Sequence, residues 1–255
     1  MGIFDTHAHL TDERFDGDRD SLIESLPSLG VDLVMDVACD VREVQATLEL
    51  ANRYPFVYAA VGMHPHIAAE TKQEHLDAIR RIVREPKVMA IGEIGLDYYY
   101  DFAPRDVQKK WFIAQLELAR ELDMPVILHI REAFGDCMDI LRAHKGIRGV
   151  MHCYSGSVET AAECLDLGYY IALGGSVTFK NANKLLDVAR FIPDDRLLLE
   201  TDCPYMTPVP YRGERNDPTY TRFTARRIAE LREKDTDELC DITNKNGREL
   251  FGISL

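Results

Sequence analysis

The sequence predicts an α/β fold in which eight parallel strands, each followed by a helix, close into a barrel. Short apolar runs alternate with stretches of helical periodicity, and each run is apolar enough to be covered on both faces. The 255 residues contain no linker-like or low-complexity tract and no internal repeat. At this length the TIM-type (β/α)8 barrel, as a single domain over residues 1–255, is the economical solution. A doubly wound open sheet is the alternative, although no Gly-x-Gly-x-x-Gly follows the first run.

The apolar runs set the order of the predicted strands. They are Ile3–Asp5, Val31–Ala38, Val57–Val61, Val88–Ile91, Val126–Ile130, Val150–His152, Tyr169–Leu173 and Leu197–Leu199. The clearest helix is predicted over Arg105–Asp123, where Trp111, Gln115, Leu118 and Leu122 form one stripe.

Location and partners are constrained by what the chain lacks. Its apolar runs are far shorter than the ~20 residues of a membrane span, and no basic region with an apolar stretch opens it. The 6 cysteines include no Cys-x-x-Cys pair, as expected of reduced thiols. We therefore expect a cytoplasmic protein that contacts no membrane. The sequence carries no signal for the oligomeric state, and a monomer is the default expectation.

The net charge of −13 limits how a polyanion could bind. A protein that grips duplex nucleic acid along its length usually carries a basic face, because neutralising phosphates drives that affinity. This chain has 30 Lys and Arg against 43 Asp and Glu. A polyanionic substrate is therefore expected to be held locally, by metal ions and a few cationic side chains in a cleft.

Polar side chains follow the predicted strands at the end where barrel enzymes build their active sites. Singly, each has an ordinary explanation, such as a hydrogen-bonded core histidine or a helix cap. Together they favour one shared metal centre, because imidazole and carboxylate are common ligands of divalent metals. The residues are His7 and His9 after the first strand, His64 after the third, Glu93 after the fourth, His129 and Arg131 at the fifth, His152 at the sixth and Asp202 after the eighth.

The number of ligands predicts two ions. Four histidines and two carboxylates exceed what one catalytic ion takes while it keeps a position for water. Glu93, central in strand order, is the expected bridge. Two such ions lie ~3.5–4 Å apart, lower the pKa of a shared water and hold the attacking and leaving oxygens of a hydrolysis. Ligand type alone does not rank Mg²⁺, Mn²⁺ and Zn²⁺.

Six motifs occur in order along the chain: Asp5–Leu10, Gly62–His66, Gly92–Tyr98, His129–Arg131, His152–Gly156 and Glu200–Tyr205. Together they resemble the TatD-type metal-dependent hydrolases of the amidohydrolase superfamily. The segment Pro210–Pro218 also resembles the loop after the last strand in that family. The resemblance covers essentially the whole chain, and it implies a TIM barrel with magnesium- or manganese-dependent deoxyribonuclease activity.

The resemblance also implies the ligand set. It assigns His7, His9, Glu93 and Asp202 to one metal ion, and Glu93, His129 and His152 to the other. Asp202 would in addition orient or deprotonate the nucleophilic water. Glu93 and Asp202 are therefore the expected catalytic residues.

Further residues are expected to contact the substrate or the ligands. The resemblance implies that His64 and Arg131 hold the scissile phosphate, where guanidinium makes two parallel hydrogen bonds. Arg212 and Asn216 are candidate substrate contacts, unless their loop only packs against the barrel mouth. Glu200, two residues before Asp202, is expected to support a ligand from behind.

Three functions from different classes fit these residues. The first is cleavage of DNA phosphodiester bonds by a 3′–5′ exonuclease on single-stranded or frayed ends, in DNA repair or degradation. Tyr98, Tyr99 and Tyr100 would then stack on bases or simply line a loop. The second is hydrolysis of an ester or amide, such as a D-aminoacyl-tRNA, because a metal-activated water attacks carbonyl carbon as readily as phosphorus. The third is a binding scaffold held by metals, against which a general base at Asp202 argues.

Overall fold

The computed structural model describes residues 2–254 and confirms the predicted barrel. Eight strands pair in chain order, each parallel to the next, in one sheet. The strands are β1 (Ile3–Ala8), β2 (Val31–Ala38), β3 (Val57–Val61), β4 (Val88–Asp97), β5 (Val126–Arg131), β6 (Gly149–Met151), β7 (Tyr170–Leu173) and β8 (Leu197–Leu199).

Helices alternate with the strands and surround them. The longest ends at Leu122, where the left-handed backbone of the next residue, Asp123, stops it, and it buries the predicted Trp111, Gln115 and Leu118. None of the helices within residues 2–254 is both long and apolar enough to cross a membrane. The helices are α1 (Arg19–Ser25), α2 (Val44–Arg53), α3 (Gln73–Ile82), α4 (Arg105–Leu122), α5 (Phe134–Ala143), α6 (Val158–Asp166), α7 (Asn183–Phe191), α8 (Thr221–Arg232) and α9 (Thr236–Phe251), with short 3-10 helices at Glu13–Phe15, Pro27–Leu29, Pro65–Ile67, Gly175–Thr178, Asp194–Arg196 and Pro218–Tyr220.

Backbone and side-chain hydrogen bonds close the barrel between β1 and the segment that continues from β8. The end of β1 forms one isolated bridge with the segment after β8, between Ala8 and Cys203. Below it, the buried Asp5 carboxyl accepts the N–H of Thr201 at 2.8 Å and lies 2.6 Å from the Thr201 hydroxyl. Thr6 Oγ1 donates to the carbonyl of Leu199 at 3.0 Å. We call the Asp5–Thr201 contact the seam, because it joins the first strand of the barrel to the segment after the last strand.

Apolar side chains fill the amino-terminal half of the barrel, which leaves only the other end for polar chemistry. Phe4, Met35 and Ile127 belong to an interior cluster that continues into the end of α9. The ring centroids of Phe4 and Phe251 lie 6.0 Å apart across this boundary. A second, larger cluster packs the outer helices against the strands.

Candidate metal centre

Two strands carry their metal-ligand candidates at breaks in the sheet register. In β1 the pairing to β2 shifts between Asp5 and Ala8, and in β4 the pairing to β5 shifts between Ile91 and Ile94. His7 and Glu93 lie inside these breaks. Bulges of this kind re-aim side chains next to active sites, and here they aim two ligand candidates at the carboxyl-terminal end of the barrel.

Glu93 lies at the centre, and its two carboxylate oxygens face different histidines. Oε2 is 3.4 Å from Nε2 of His7 and 3.9 Å from Nε2 of His9. Oε1 is 2.6 Å from Nδ1 of His129 and 3.6 Å from Nε2 of His152. We call these the first subsite (His7, His9 and Glu93 Oε2) and the second subsite (His129, His152 and Glu93 Oε1).

Asp202, in the turn after β8, contacts both subsites. Its Oδ1 is 3.5 Å from Nε2 of His9 and 3.7 Å from Nε2 of His152. The backbone of Asp202 is left-handed, with φ of 58°, in the turn three residues after the end of β8. Aspartate tolerates this conformation better than most residues. The structure therefore brings together all six predicted ligands, which lie on or just after strands β1, β4, β5, β6 and β8.

Spacing and donor chemistry fit divalent metal ions. Most of the separations between ligand atoms exceed the 2.7–3.2 Å of a hydrogen bond, but they suit donors that share an ion at about 2.0–2.2 Å. Within residues 2–254, the ion-pair partners of Glu93 within 4.0 Å are all histidines. Imidazole is cationic only while it is protonated, so this buried carboxylate has no permanent cationic partner, and a metal ion would supply one.

Three histidines are anchored on the ring nitrogen that points away from the centre. Nδ1 of His9 donates to the carbonyl of Val37 at 3.0 Å. Nδ1 of His152 donates to Oε2 of Glu200 at 2.9 Å, and Nε2 of His129 donates to Oδ2 of Asp97 at 3.1 Å. Such outer hydrogen bonds select the tautomer and leave the inner nitrogen with a lone pair for a metal.

His64 has the opposite arrangement, because its protonated nitrogen faces the centre. Its Nδ1 accepts the backbone N–H of His66 at 3.1 Å, so the proton is on Nε2. Nε2 lies 3.6 Å from Oε1 of Glu93. Burial lowers the pKa of His64 to about 4, so its ring is neutral at pH 7. His64 therefore offers an N–H donor to the centre rather than a lone pair.

Without a metal ion, neighbouring anionic groups favour the protonated form of three of the histidines. At His9, burial is outweighed by interactions with Cys39 and Asp202, which raise the pKa well above its ordinary value. Burial alone would lower the pKa of His129, but the charge of Glu93 and the hydrogen bond to Asp97 raise it to about 9. Burial is likewise outweighed at His152, where the charges of Glu200 and Glu93 raise the pKa to about 9. Burial beside other imidazoles lowers the pKa of His7 to about 3.

Sequence reasoning did not identify three polar side chains that take part in the centre. Asp97, at the end of β4, lies 2.8 Å from Nε2 of His66 through the same oxygen that contacts His129. Cys39, directly after β2, has its thiol 3.4 Å from Oε2 of Glu93. The signal for Asp97 was its position four residues after Glu93, because alternate residues of a strand share a face.

The predicted substrate contacts separate into exposed and buried residues. Arg131 is exposed, with its guanidinium 4.1 Å from the ring centroid of Tyr99. Arg212 is exposed and covers the ring of Phe179 at 3.7 Å. Asn216 is fully buried, and its amide N–H groups donate to the carbonyls of Thr201 and Tyr205 at 3.0 and 2.6 Å.

This environment favours a packing role for Asn216 over a substrate contact. Its side-chain oxygen also accepts the N–H of Asp217 at 3.0 Å, so both ends of the amide hold the loop together. A substrate could reach neither end without rearranging the loop. Asn216 therefore packs the loop against the barrel mouth, which is the alternative that the sequence left open.

Glu200 contacts one ligand and the backbone beside it. Its Oε2 accepts from His152, and its Oε1 accepts the N–H of Cys153 at 2.6 Å. The carboxylate is buried, and burial raises its pKa although the charge of His152 opposes that shift. Glu200 therefore orients His152 from behind.

Comparison with known proteins agrees with this geometry. The family model described as "TatD related DNase" matches residues 4–252. A protein of Bacillus subtilis called "Uncharacterized metal-dependent hydrolase YabD" is 43% identical over 254 residues, which cover 99% of this chain and 100% of that protein. The "3'-5' ssDNA/RNA exonuclease TatD" of Citrobacter koseri is 35% identical over 260 residues, with 99% of this chain and 100% of that protein covered.

A solved structure shows the same architecture. The crystal structure of YJJV, a TatD homolog from Escherichia coli, superimposes with a TM-score of 0.93 at 32% sequence identity. The match covers 99% of this chain and 98% of that one. The chain therefore belongs to the TatD-related DNase family and is a metal-dependent hydrolase.

Proposed function

We propose that the enzyme hydrolyses phosphodiester bonds of DNA with two divalent metal ions, and that it shortens single-stranded or frayed ends from the 3′ side. The main support for the proposal is that the two carboxylate oxygens of Glu93 face two separate sets of histidines. The ions would supply Lewis-acid activation of a water and of the phosphate, with Mg²⁺, Mn²⁺ or Zn²⁺ as candidates.

Asp202 and His64 have complementary roles at the phosphate. The hydrogen bond from His9 and the charges of the neighbouring histidines outweigh burial and hold the pKa of Asp202 below its ordinary value. It is therefore ionised at pH 7 and can orient a water and accept its proton. The Nε2–H of His64 can donate to a phosphate oxygen, and Arg131 supplies positive charge at the rim.

Exposed aromatic side chains beside the centre support an unpaired strand as substrate. Tyr99, Tyr100 and Phe102 are 54%, 47% and 64% exposed, and Arg131 lies over both tyrosine rings. We call these four residues the aromatic platform. His66 joins the platform to the centre, with its ring 5.2 Å from that of Tyr100. Stacking on aromatic rings binds bases of a single strand without sequence preference.

Location in the cytoplasm and a monomeric state are further parts of the proposal. Each of the six cysteines is a free thiol, which supports a reducing compartment. The DNA would contact only the barrel mouth, in keeping with the net charge of −13.

The test is hydrolysis of end-labelled single-stranded DNA. Metal-stripped protein would be supplied with Mg²⁺, Mn²⁺ or Zn²⁺ and compared with a His129→Ala variant, which lacks one ligand of the second subsite. We expect metal-dependent shortening from the 3′ end that the variant does not perform. The position of the label, 5′ or 3′, reports the polarity.

Two results would contradict the proposal. Shortening that survives in His129→Ala would mean that the second subsite is not needed. No cleavage with any metal, despite two bound ions per chain, would favour hydrolysis of an ester or amide instead. A D-aminoacyl-tRNA would then be the next substrate to assay.

A further inference from the structure

A thiol faces the metal centre from β2, a strand that contributes none of the six proposed ligands. Cys39 is half-buried directly after β2, and its Sγ lies 3.4 Å from Oε2 of Glu93. The ligand atoms of Cys39, His9 and Glu93 all lie within 4.8 Å of one another. Cys39 thus faces the same carboxylate oxygen as the two histidines of the first subsite.

We propose that Cys39 is the fourth ligand of the ion in the first subsite, and that this subsite consequently prefers a thiophilic ion such as Zn²⁺. The inference rests on the metal centre proposed above, but not on the identity of the ester that is hydrolysed. On binding, the S–H bond breaks, the proton leaves to solvent and a sulfur–metal bond forms. No electron is transferred.

The spacing of the donors fits a four-coordinate ion. Ligand atoms around a tetrahedral zinc ion, with bonds of about 2.0–2.3 Å, lie roughly 3.3–3.8 Å apart. The observed edges are 3.2 Å between Nε2 of His7 and His9, and 3.4 Å between His7 and Glu93. Glu93 lies 3.4 Å from the thiol of Cys39 and 3.9 Å from His9. The thiol of Cys39 also lies within 4.8 Å of the ligand atom of His9, on the side of β2.

A thiolate would make the two subsites chemically different. Sulfur favours zinc and cobalt over magnesium, whereas carboxylate and water favour magnesium and manganese. With Cys39 as a ligand, the first subsite has four protein donors without Asp202. The carboxylate of Asp202 is then left to orient the water between His9 and His152.

Cobalt substitution tests the sulfur bond directly. Metal-stripped full-length protein would be titrated with Co²⁺ while its absorption spectrum is recorded. Bound Co²⁺ gives weak visible ligand-field bands, and a Co²⁺–thiolate bond adds an intense near-ultraviolet charge-transfer band. We expect both features in the wild type and in Cys240→Ser, a control on α9. Cys39→Ser should keep the visible bands and lose the charge-transfer band.

The outcomes separate the inference from the centre on which it depends. Visible bands without charge transfer in the wild type would overturn the role of Cys39 and leave the metal centre intact, and this result needs no variant. Charge transfer that survives in Cys39→Ser but disappears in Cys153→Ser would assign the bond to the thiol beside His152 and Asp202. No cobalt bands in the wild type would overturn both proposals.

A competition measurement gives a second readout. Zn²⁺ affinity should fall by roughly tenfold or more in Cys39→Ser, while Mg²⁺ affinity changes far less, because serine removes only the soft donor. Equal effects on the two ions would contradict the proposed preference.

Discussion

The Asp97 carboxylate lies on the opposite side of the His129 ring from Glu93. Its Oδ2 is 3.1 Å from Nε2 of His129, whereas Nδ1 of the same ring is 2.6 Å from Oε1 of Glu93. Asp97 is itself held, because its Oδ1 accepts the backbone N–H groups of Tyr99 and Tyr100 at 3.0 and 2.9 Å. The carboxylate thereby fixes both the tilt of the imidazole and the nitrogen that carries its proton.

Replacement of Asp97 should weaken the second subsite without removing a ligand. In Asp97→Ala, His129 loses its outer acceptor, so we expect metal affinity to fall by about 10- to 100-fold. Isothermal titration with Zn²⁺ or Mn²⁺ measures the change. The control is Asp136→Asn, which replaces a partly exposed carboxylate on α5 that contacts Lys109. Unchanged affinity in Asp97→Ala would show that packing alone orients His129.

Glu93 should be required for both ions. Because its oxygens face both subsites, Glu93→Ala should lose both metals together with activity. Native mass spectrometry counts the ions per chain, and Glu121→Ala on α4 controls for loss of a surface carboxylate. If Glu93→Ala kept one ion at wild-type affinity, Glu93 would serve a single subsite.

The apolar pattern predicted the position of every strand, but it ended two of them before the polar residues of the metal centre. It ended the first strand at Asp5 and the fourth at Ile91, whereas β1 continues to Ala8 and β4 to Asp97. These extensions carry His7, Glu93 and Asp97, so polar functional residues interrupt the hydrophobic signal inside the strands.

Order along the chain and the motifs identified the six ligand candidates, because the carboxyl ends of barrel strands converge. The order of the strands did not predict which other side chains contact the ligands or fix the loop beside them. Cys39 follows an ordinary apolar strand, and only the closure of the barrel brings it to Glu93. The amide of Asn216 is saturated by carbonyl groups 11 and 15 residues away, through a loop path that periodicity does not encode.

Metal binding should release protons at neutral pH. His129 and His152 have pKa values of about 9 in the metal-free centre, and a protonated imidazole cannot bind a metal. The heat of metal binding at pH 7 should therefore depend on the ionisation enthalpy of the buffer. Affinity should weaken as the pH falls from about 8 to about 6. The control is His144→Asn, which replaces a histidine whose ring contacts the backbone carbonyl of Ile140 in α5. This variant should behave as wild type. A heat that is the same in every buffer would contradict the assignment.

The aromatic platform should matter for DNA and not for a small phosphodiester. Loss of the Tyr100 ring removes stacking worth about 1–3 kcal/mol per base, so KM for single-stranded DNA should rise roughly 5- to 150-fold in Tyr100→Ala. Hydrolysis of bis(4-nitrophenyl) phosphate, which has no base, should change little. Phe191→Ala, an exposed aromatic on α7, is the matched control. Equal losses on both substrates would mean that Tyr100 supports the centre and not the strand.

At the seam, replacement of Asp5 by asparagine should leave the stability of the fold nearly unchanged, whereas replacement by alanine should lower it. Burial raises the pKa of Asp5 to about 8, although hydrogen bonds from Thr201 oppose the shift, so the side chain is largely neutral at pH 7. Asp5→Asn keeps its size and an acceptor for the Thr201 N–H, and should change the free energy of unfolding little. Asp5→Ala leaves that buried N–H unpaired and should cost about 1–3 kcal/mol.

Urea unfolding of the metal-free proteins measures the seam, because it excludes any stabilisation by bound ions. Metal affinity of Asp5→Ala should also fall, since β1 presents His7 while the turn after β8 presents Asp202. A loss in Asp5→Asn equal to that in Asp5→Ala would mean that the carboxyl acts in its charged form. The assignment of a neutral carboxyl would then be wrong, and stability should not fall as the pH rises towards 8, as it must when the pKa of Asp5 is higher in the folded than in the unfolded state.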